Sequence, residues 1–319
     1  MLRVENLKVK FDQIQVVRGI TFTLRQGMIL SVLGESGSGK SVSAMSIMKL
    51  YGENQALITA DKLSLNEIDL LSINERSMQK IRGVQIAYIF QNPNDALSPN
   101  KTIRSQFKEL FRVHHRTYDE KEIEALLETV GLNIESKYIL NMYPHQLSGG
   151  QAQRVTIALA LSLNPKVIIA DEPTSSIDAS LTDVIVELLL SINKKYGISI
   201  LFITHDFDLA ARISDEILIL YGGLVMEYGK KTEIFNHAKH PYTQELMKCV
   251  NSIQSRDGEL YTLTGYALDP TEFKDECPFW YRCMYSTVVC KSQIPQLIEA
   301  RDTSSCFVRC IHALEVNNE

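Results

Sequence analysis

The segment Leu33-Gly34-Glu35-Ser36-Gly37-Ser38-Gly39-Lys40-Ser41 constrains this chain more than any other. It fits the spacing G-x-x-x-x-G-K-S, a loop whose backbone N–H groups cradle phosphates. Its glycines permit positive φ and a close backbone approach that a Cβ would block. Lys40 offers a mobile cation to the β- and γ-phosphates, and Ser41 a hydroxyl to Mg²⁺. The run from Met28 to Leu33 reads as a buried strand and that from Ser41 to Leu50 as a helix, which is the strand–loop–helix setting such a loop requires. Alone, the loop implies a bound nucleotide and nothing more.

Composition narrows the classes. The 319 residues are 45% hydrophobic and 22% charged, an ordinary globular balance. A formal net charge of -5 argues against a basic nucleic-acid surface. No apolar run approaches the roughly 18 residues of a membrane helix. Met1 to Glu5 carries charge where a signal peptide would be apolar, so a cytoplasmic location is expected. Any membrane crossing then belongs to other subunits.

The rest of the chain reads as an interrupted α/β core. Residues 1–32 alternate apolar and polar positions (Leu2, Val4, Leu7, Val9, Phe11, then Ile20, Phe22, Leu24), as strands do. Val84 to Phe90 is a further buried strand ending at Gln91. From Asn92 to Asn164 the pattern turns helical, most clearly over Glu120 to Val130 and Gly150 to Leu163. Strands return at Val167 to Ala170 and Ile198 to Ile203, and Tyr221-Gly222-Gly223 marks a hairpin. From about Asn236 the texture changes to prolines, aromatics and cysteines, as in a small appended domain.

Two further segments carry chemistry. The strand ending Ala170-Asp171-Glu172 delivers adjacent carboxylates at the end where parallel sheets bind ligands. Asp171 suits the Mg²⁺ shell and Glu172 a water attacking the γ-phosphate. A strand ending in a plain acidic turn is the alternative, which the preceding phosphate loop disfavours. Leu147-Ser148-Gly149-Gly150-Gln151 precedes a helical run and presents a hydroxyl and bare N–H groups, either to an anion or as an ordinary N-cap.

Together, LSGGQ, Arg154 and Asp171-Glu172-Pro173-Thr174 resemble the ATP-binding cassette (ABC) family. The resemblance implies a P-loop NTPase (RecA-like) α/β core with an antiparallel β-subdomain, a helical signature subdomain and a small cysteine-containing C-terminal extension. The expected boundaries are 1–235 for the ATPase, with its helical part about 92–165, and 236–319 for the extension. It further implies that Gly34, Glu35, Ser36, Gly37, Ser38, Gly39, Lys40 and Ser41 bind ATP, with Phe11 where an aromatic stacks on adenine. Ser41, Gln91 and Asp171 fall at Mg²⁺-associated positions, and Glu172 and His205 at catalytic ones. Ser148, Gly149, Gly150 and Gln151 would act on the ATP of a partner cassette. Asp178, in Ser176-Ile177-Asp178, would lie in the interface loop, with Ile177 in place of the more usual leucine.

Within the family, Gly34 to Val42, Ile89-Phe90-Gln91-Asn92-Pro93, Leu97-Ser98-Pro99 and His237 to Thr243 resemble the oligopeptide, dipeptide and nickel importer ATPases. That resemblance implies an ATP hydrolase coupled to import of peptides, nickel or metal chelates. Its partners would be a paralogous ATPase, two membrane-spanning permeases and an extracytoplasmic solute-binding protein, with no nucleic acid. It would be peripheral, on the cytoplasmic face of the cell membrane. Val42 after Ser41 resembles the first member of a heteromeric ATPase pair. Asn94 to Pro99 departs from the subfamily's more usual Met-Thr-Ser-Leu-Asn-Pro, in a segment expected to face the permease. His237 and His240 read as a polar helix–loop junction.

Five of the six cysteines lie between residues 277 and 310. Cys277, Cys283, Cys290 and Cys306 have the spacing C-x5-C-x6-C-x15-C, with Cys310 competing for the fourth place. Four soft thiolates suit a [4Fe–4S] cluster or zinc, and reduced thiols packed in a small domain are the third reading. Some members of the resembled subfamily hold an iron–sulfur cluster there. The contrasting function class is a soluble cassette ATPase acting on DNA or ribosomes. Residues 42–146 lack the sustained heptads of repair cassettes, and the chain has one ATPase unit where translation cassettes have two. A non-hydrolytic binding module conflicts with the presence of Glu172 and His205.

Overall fold

The computed structural model describes residues 1–52, 54–133, 136–255, 261–300 and 306–312. The chain divides into two units, Met1–Ser72 with Thr204–Glu319, and Ile73–Ile203.

In the first unit, strand Leu2–Phe11 buries Leu2, Val4, Leu7 and Val9 completely, the inward half of the alternation visible in the sequence. It pairs antiparallel with Ile14–Leu24 on one side and with Lys62–Leu65 on the other, and Leu57–Thr59 extends the second pairing. A second set of strands positions the phosphate loop. Ile29–Leu33 runs parallel to Glu216–Tyr221, and every residue of both is buried, as expected of strands covered on two faces. Glu216–Tyr221 turns back into Leu224–Lys230 through Gly222 and Gly223, both at positive φ, the conformation a two-residue hairpin turn needs.

The tail packs on the strands of this unit. Its short strand Phe307–Val308 pairs with Leu224–Lys230, and Ile298–Glu299 pairs with Phe307–Val308. Buried Tyr242, Cys277, Phe279, Cys290, Cys306 and Val308 share one apolar cluster with Leu33, Ile217, Ile219 and Met226. The helix after the phosphate loop, expected to run to Leu50, spans Lys40–Ile47. It stops because Met48 leaves helical geometry and Lys49 turns to positive φ.

The second unit is built on three parallel strands, Ile86–Ile89, Val167–Asp171 and Ser199–Ile203, with Tyr88 opposite Ile169 and Asp171 opposite Ile203. Helices Ile103–Val113, Glu120–Thr129 and Gly149–Leu161 start at Thr102, Asp119 and Ser148, whose side chains each accept a backbone N–H, the favoured way to satisfy an open helix terminus. Phe107, Phe111, Ile123, Leu127, Val155 and Ile157 form the apolar faces of these helices. Ala179–Tyr196, a long helix the sequence pattern did not single out, ends at Gly197 in the left-handed conformation.

Candidate functional site: phosphate loop, acidic strand end and signature turn

The phosphate loop leaves a fully buried strand and enters its helix at Gly39, which sits at φ 95°. Only glycine adopts that conformation without strain. At Gly34 the reason for glycine is space, because a Cβ there would collide with the Leu220 carbonyl. Lys40 is 6% exposed, and its Nζ donates to the carbonyls of Gly34 (2.8 Å) and Glu35 (3.0 Å). The cation is thus folded back over its own loop. Ser38 is also buried, and among the described residues its hydroxyl has no hydrogen-bond partner. A buried, unsatisfied hydroxyl costs about 1–3 kcal/mol, so it is suited to an incoming acceptor such as a phosphate oxygen. Phe11 is half-buried and packs edge-to-face on Tyr51 at 5.0 Å.

In the second unit the acidic pair is held by neighbours. Asp171 is buried, and its carboxylate accepts a 2.7 Å hydrogen bond from the Tyr88 hydroxyl. Glu172 takes φ 43°, a left-handed conformation that costs a residue with a Cβ about 1–3 kcal/mol and is typical of functional positions. The Gln91 side-chain amide donates to the Glu172 carboxylate at 3.2 Å, and Ser176 Oγ donates to the Gln91 carbonyl at 2.8 Å. Gln91 and Glu172, predicted separately, therefore meet. The sequence carries no sign of this role for Tyr88, because a tyrosine within an apolar strand reads as core.

The signature turn opens the helix Gly149–Leu161 with reciprocal bonds. Ser148 Oγ accepts from the Gln151 N–H, and Gln151 Oε1 accepts from the Ser148 N–H. The N-cap reading and the anion-facing reading thus describe one turn, since a capped helix N-terminus still concentrates positive potential. Ser148, Gly150, Gln151 and Arg154 line a cavity of about 470 Å³. Asp178 is exposed at the start of Ala179–Tyr196. His205 is exposed next to buried Thr204, whose N–H donates to the Val32 carbonyl at 3.2 Å in the strand leading to the phosphate loop.

Among the described residues no tail cysteine is in a disulfide. Among the described residues, no three His, Cys, Asp or Glu side chains are grouped to hold a metal ion. The Cys277 N–H donates to the Cys290 carbonyl, and Cys283, Cys290 and Cys310 are the cysteines whose charge Cys277 would feel. Cys306 instead lies against Glu227, with Sγ 3.9 Å from the carboxylate. Burial, above all, pushes the Cys277 and Cys306 thiols up to about 12. His237 and His240 part company. His240 is 2% exposed, and its Nδ1 accepts the Tyr242 N–H at 2.9 Å. Burial pushes its pKa down to about 3, so it is a neutral structural imidazole and not a residue of a polar junction.

A glycine loop closing on a buried lysine, at the junction of a buried strand and a helix, defines a P-loop nucleotide-binding protein. Residues 17–175 match the family model described as "ABC transporter", and residues 226–290 that described as "Oligopeptide/dipeptide transporter, C-terminal region". The oligopeptide transport ATP-binding protein OppD of Bacillus subtilis is 36% identical over 311 residues, covering 95% of this chain and 87% of that protein. The dipeptide transport ATP-binding protein DppD of the same organism is also 36% identical, over 92% of this chain and 90% of that protein. The dimeric structure of the bacterial ABC transporter cassette MJ0796 superposes with a TM-score of 0.64 at 28% identity, covering 72% of this chain and 99% of that one. The chain belongs to the ABC transporter family, as an ATP-hydrolysing cassette of the branch that contains OppD and DppD. Among the described residues no helix is long and apolar enough to cross a membrane.

Proposed function

We propose that this chain binds and hydrolyses ATP to drive import of peptides through a membrane transporter. The observation that carries the nucleotide reading is the phosphate loop, where buried Lys40 and the Ser38 hydroxyl, unpartnered among the described residues, sit beside Gly34, whose position has no room for a Cβ. Gly34 to Ser41 hold the phosphates, and Phe11 meets the adenine. Ser41, Gln91 and Asp171 would hold Mg²⁺, which would supply positive charge against the phosphates. Glu172 takes a proton from the water that attacks the γ-phosphorus as the bond to ADP breaks, and His205 contacts the γ-phosphate. Ser148, Gly149, Gly150 and Gln151 act on the ATP of a second cassette, with Asp178 in the contact loop.

The names of the relatives favour peptides as cargo over nickel or metal chelates, and do not favour a soluble ATPase of DNA or ribosomes. The working assembly contains a paralogous ATPase, two membrane permeases and a solute-binding protein, with this chain on the cytoplasmic face. The assignment of domains as 1–235 and 236–319 follows the same reading. A [4Fe–4S] cluster or zinc in the tail would need four thiolates together. Among the described residues no group of side chains is assembled to hold a metal ion, and Cys306 stands with Glu227. Iron and zinc analysis of anaerobically purified protein decides that point.

The function is tested by deleting the gene and scoring growth on di- and oligopeptides and under Ni²⁺ limitation. Loss of peptide use, restored by the wild-type gene but not by Glu172→Gln, is the expected result. Unimpaired peptide use with a defect only under Ni²⁺ limitation would overturn the peptide reading. Purification of the transporter with two identical copies of this chain would refute the paralogous pair.

A further inference from the structure

Glu35, the residue after the first glycine of the phosphate loop, is gripped by the tail. Arg282 Nη1 donates to both oxygens of its carboxylate, at 2.9 and 3.1 Å. The Glu35 N–H donates to the Tyr242 hydroxyl at 3.2 Å, and its carbonyl accepts from Lys40. The guanidinium is fixed in turn. Its Nε donates to the Thr264 carbonyl at 2.9 Å and its Nη1 to the Tyr221 hydroxyl at 3.1 Å. It also stands over the rings of Tyr221 and Phe279, 5.8 and 6.0 Å from their centroids. Its side chain is 4% exposed. A cation buried and held at this many points is not a solvated surface partner, whose pairing contributes little.

The arrangement bears on the nucleotide. A phosphate loop works when its N–H groups converge before the anion arrives. A carboxylate inside that loop opposes the anion, because like charges close together in a partly desolvated site repel strongly. Arg282 answers both needs, since its planar guanidinium, fixed at Nε by the Thr264 carbonyl, orients the loop and its charge neutralises Glu35. We propose that Arg282 is a positioning residue for the nucleotide, setting and neutralising the phosphate loop through Glu35, so that the tail directly controls ATP affinity. The inference rests on the nucleotide reading of the loop.

The test uses the full-length chain, titrated with a fluorescent ATP analogue and Mg²⁺, and the assembled transporter for steady-state hydrolysis. Lys40→Ala checks the underlying reading, which fails if that variant binds as tightly as wild type. Against that reference, Arg282→Gln should weaken Mg-ATP binding about tenfold, the usual consequence of losing a charge-assisted bond. KM for ATP should rise in step, while kcat at saturating ATP changes less than about twofold, as for a lost interaction shared by ground and transition states. Adding Glu35→Gln to Arg282→Gln should restore most of the lost affinity, because the uncompensated charge is then gone. A merely structural arginine would not be rescued in this way. Unchanged binding in Arg282→Gln, or a double variant as weak as the single one, overturns the proposal. Should Arg282→Gln prove unstable, Arg282→Lys carries the test. It keeps the charge without the planar guanidinium that joins Thr264 to Glu35 and should weaken binding about threefold, and wild-type affinity in it also overturns the proposal.

Discussion

Gln91 donates its side-chain amide to the carboxylate of Glu172 across 3.2 Å, from the end of one strand to the residue after the next strand in the same unit. The bond aims the carboxylate that the proposed chemistry uses as base. Glu172→Gln should therefore keep ATP binding and lose turnover by about a hundredfold or more, the scale of a missing general base. Nucleotide titration beside a phosphate-release assay on the assembled transporter checks this. Near wild-type turnover would remove Glu172 from its role.

Tyr88 anchors the neighbouring carboxylate. Tyr88→Phe removes the 2.7 Å bond to Asp171 and nothing of the ring. It should lower stability by about 1 kcal/mol and raise the Mg²⁺ concentration for half-maximal hydrolysis several-fold. A magnesium titration with unchanged midpoint would confine Tyr88 to packing.

The buried hydroxyl of Ser38 has no partner among the described residues. Removing an unsatisfied polar group does not cost the nucleotide-free protein a hydrogen bond. Ser38→Ala should thus melt at the same temperature or higher without nucleotide, yet gain less thermal stability than wild type on adding Mg-ATP, since ligand stabilisation follows affinity. Equal shifts in the two proteins would show that this hydroxyl does not meet the phosphates.

His240 supplies a pH signature. Its pKa is pushed from the ordinary 6.5 to about 3 by burial, so the native state holds it neutral where the unfolded chain protonates. Its contribution is complete above about pH 6.5 and is lost as pH falls toward 3, at about 1.4 kcal/mol per pH unit. His240→Asn keeps an acceptor for the Tyr242 N–H but does not titrate. Its unfolding free energy should fall less steeply than that of wild type between pH 6 and about pH 4.5. Parallel profiles would mean that His240 is not the group responsible.

Much of this protein is written locally in its chain. The phosphate loop, the acid-ended strand and the signature turn are runs of adjacent residues whose chemistry depends on backbone conformation and spacing. The alternation of Leu2, Val4, Leu7 and Val9 and the solid apolar run from Ile29 to Leu33 likewise report how many faces of a strand are covered. What the tertiary structure alone decided are contacts between residues remote in sequence. Arg282 lies 247 positions from Glu35, and Tyr88 lies 83 positions from Asp171. Cys306 and Cys310 looked interchangeable in spacing, yet the pairing of Phe307–Val308 with Leu224–Lys230 places Cys306 beside Glu227, while Cys277 has Cys310 in its electrostatic surroundings. His240 read as polar and turned out buried, because Tyr242 and Phe279 carry it into the apolar cluster of the tail. Periodicity reports whether a side chain is covered, and only the folded chain says by what.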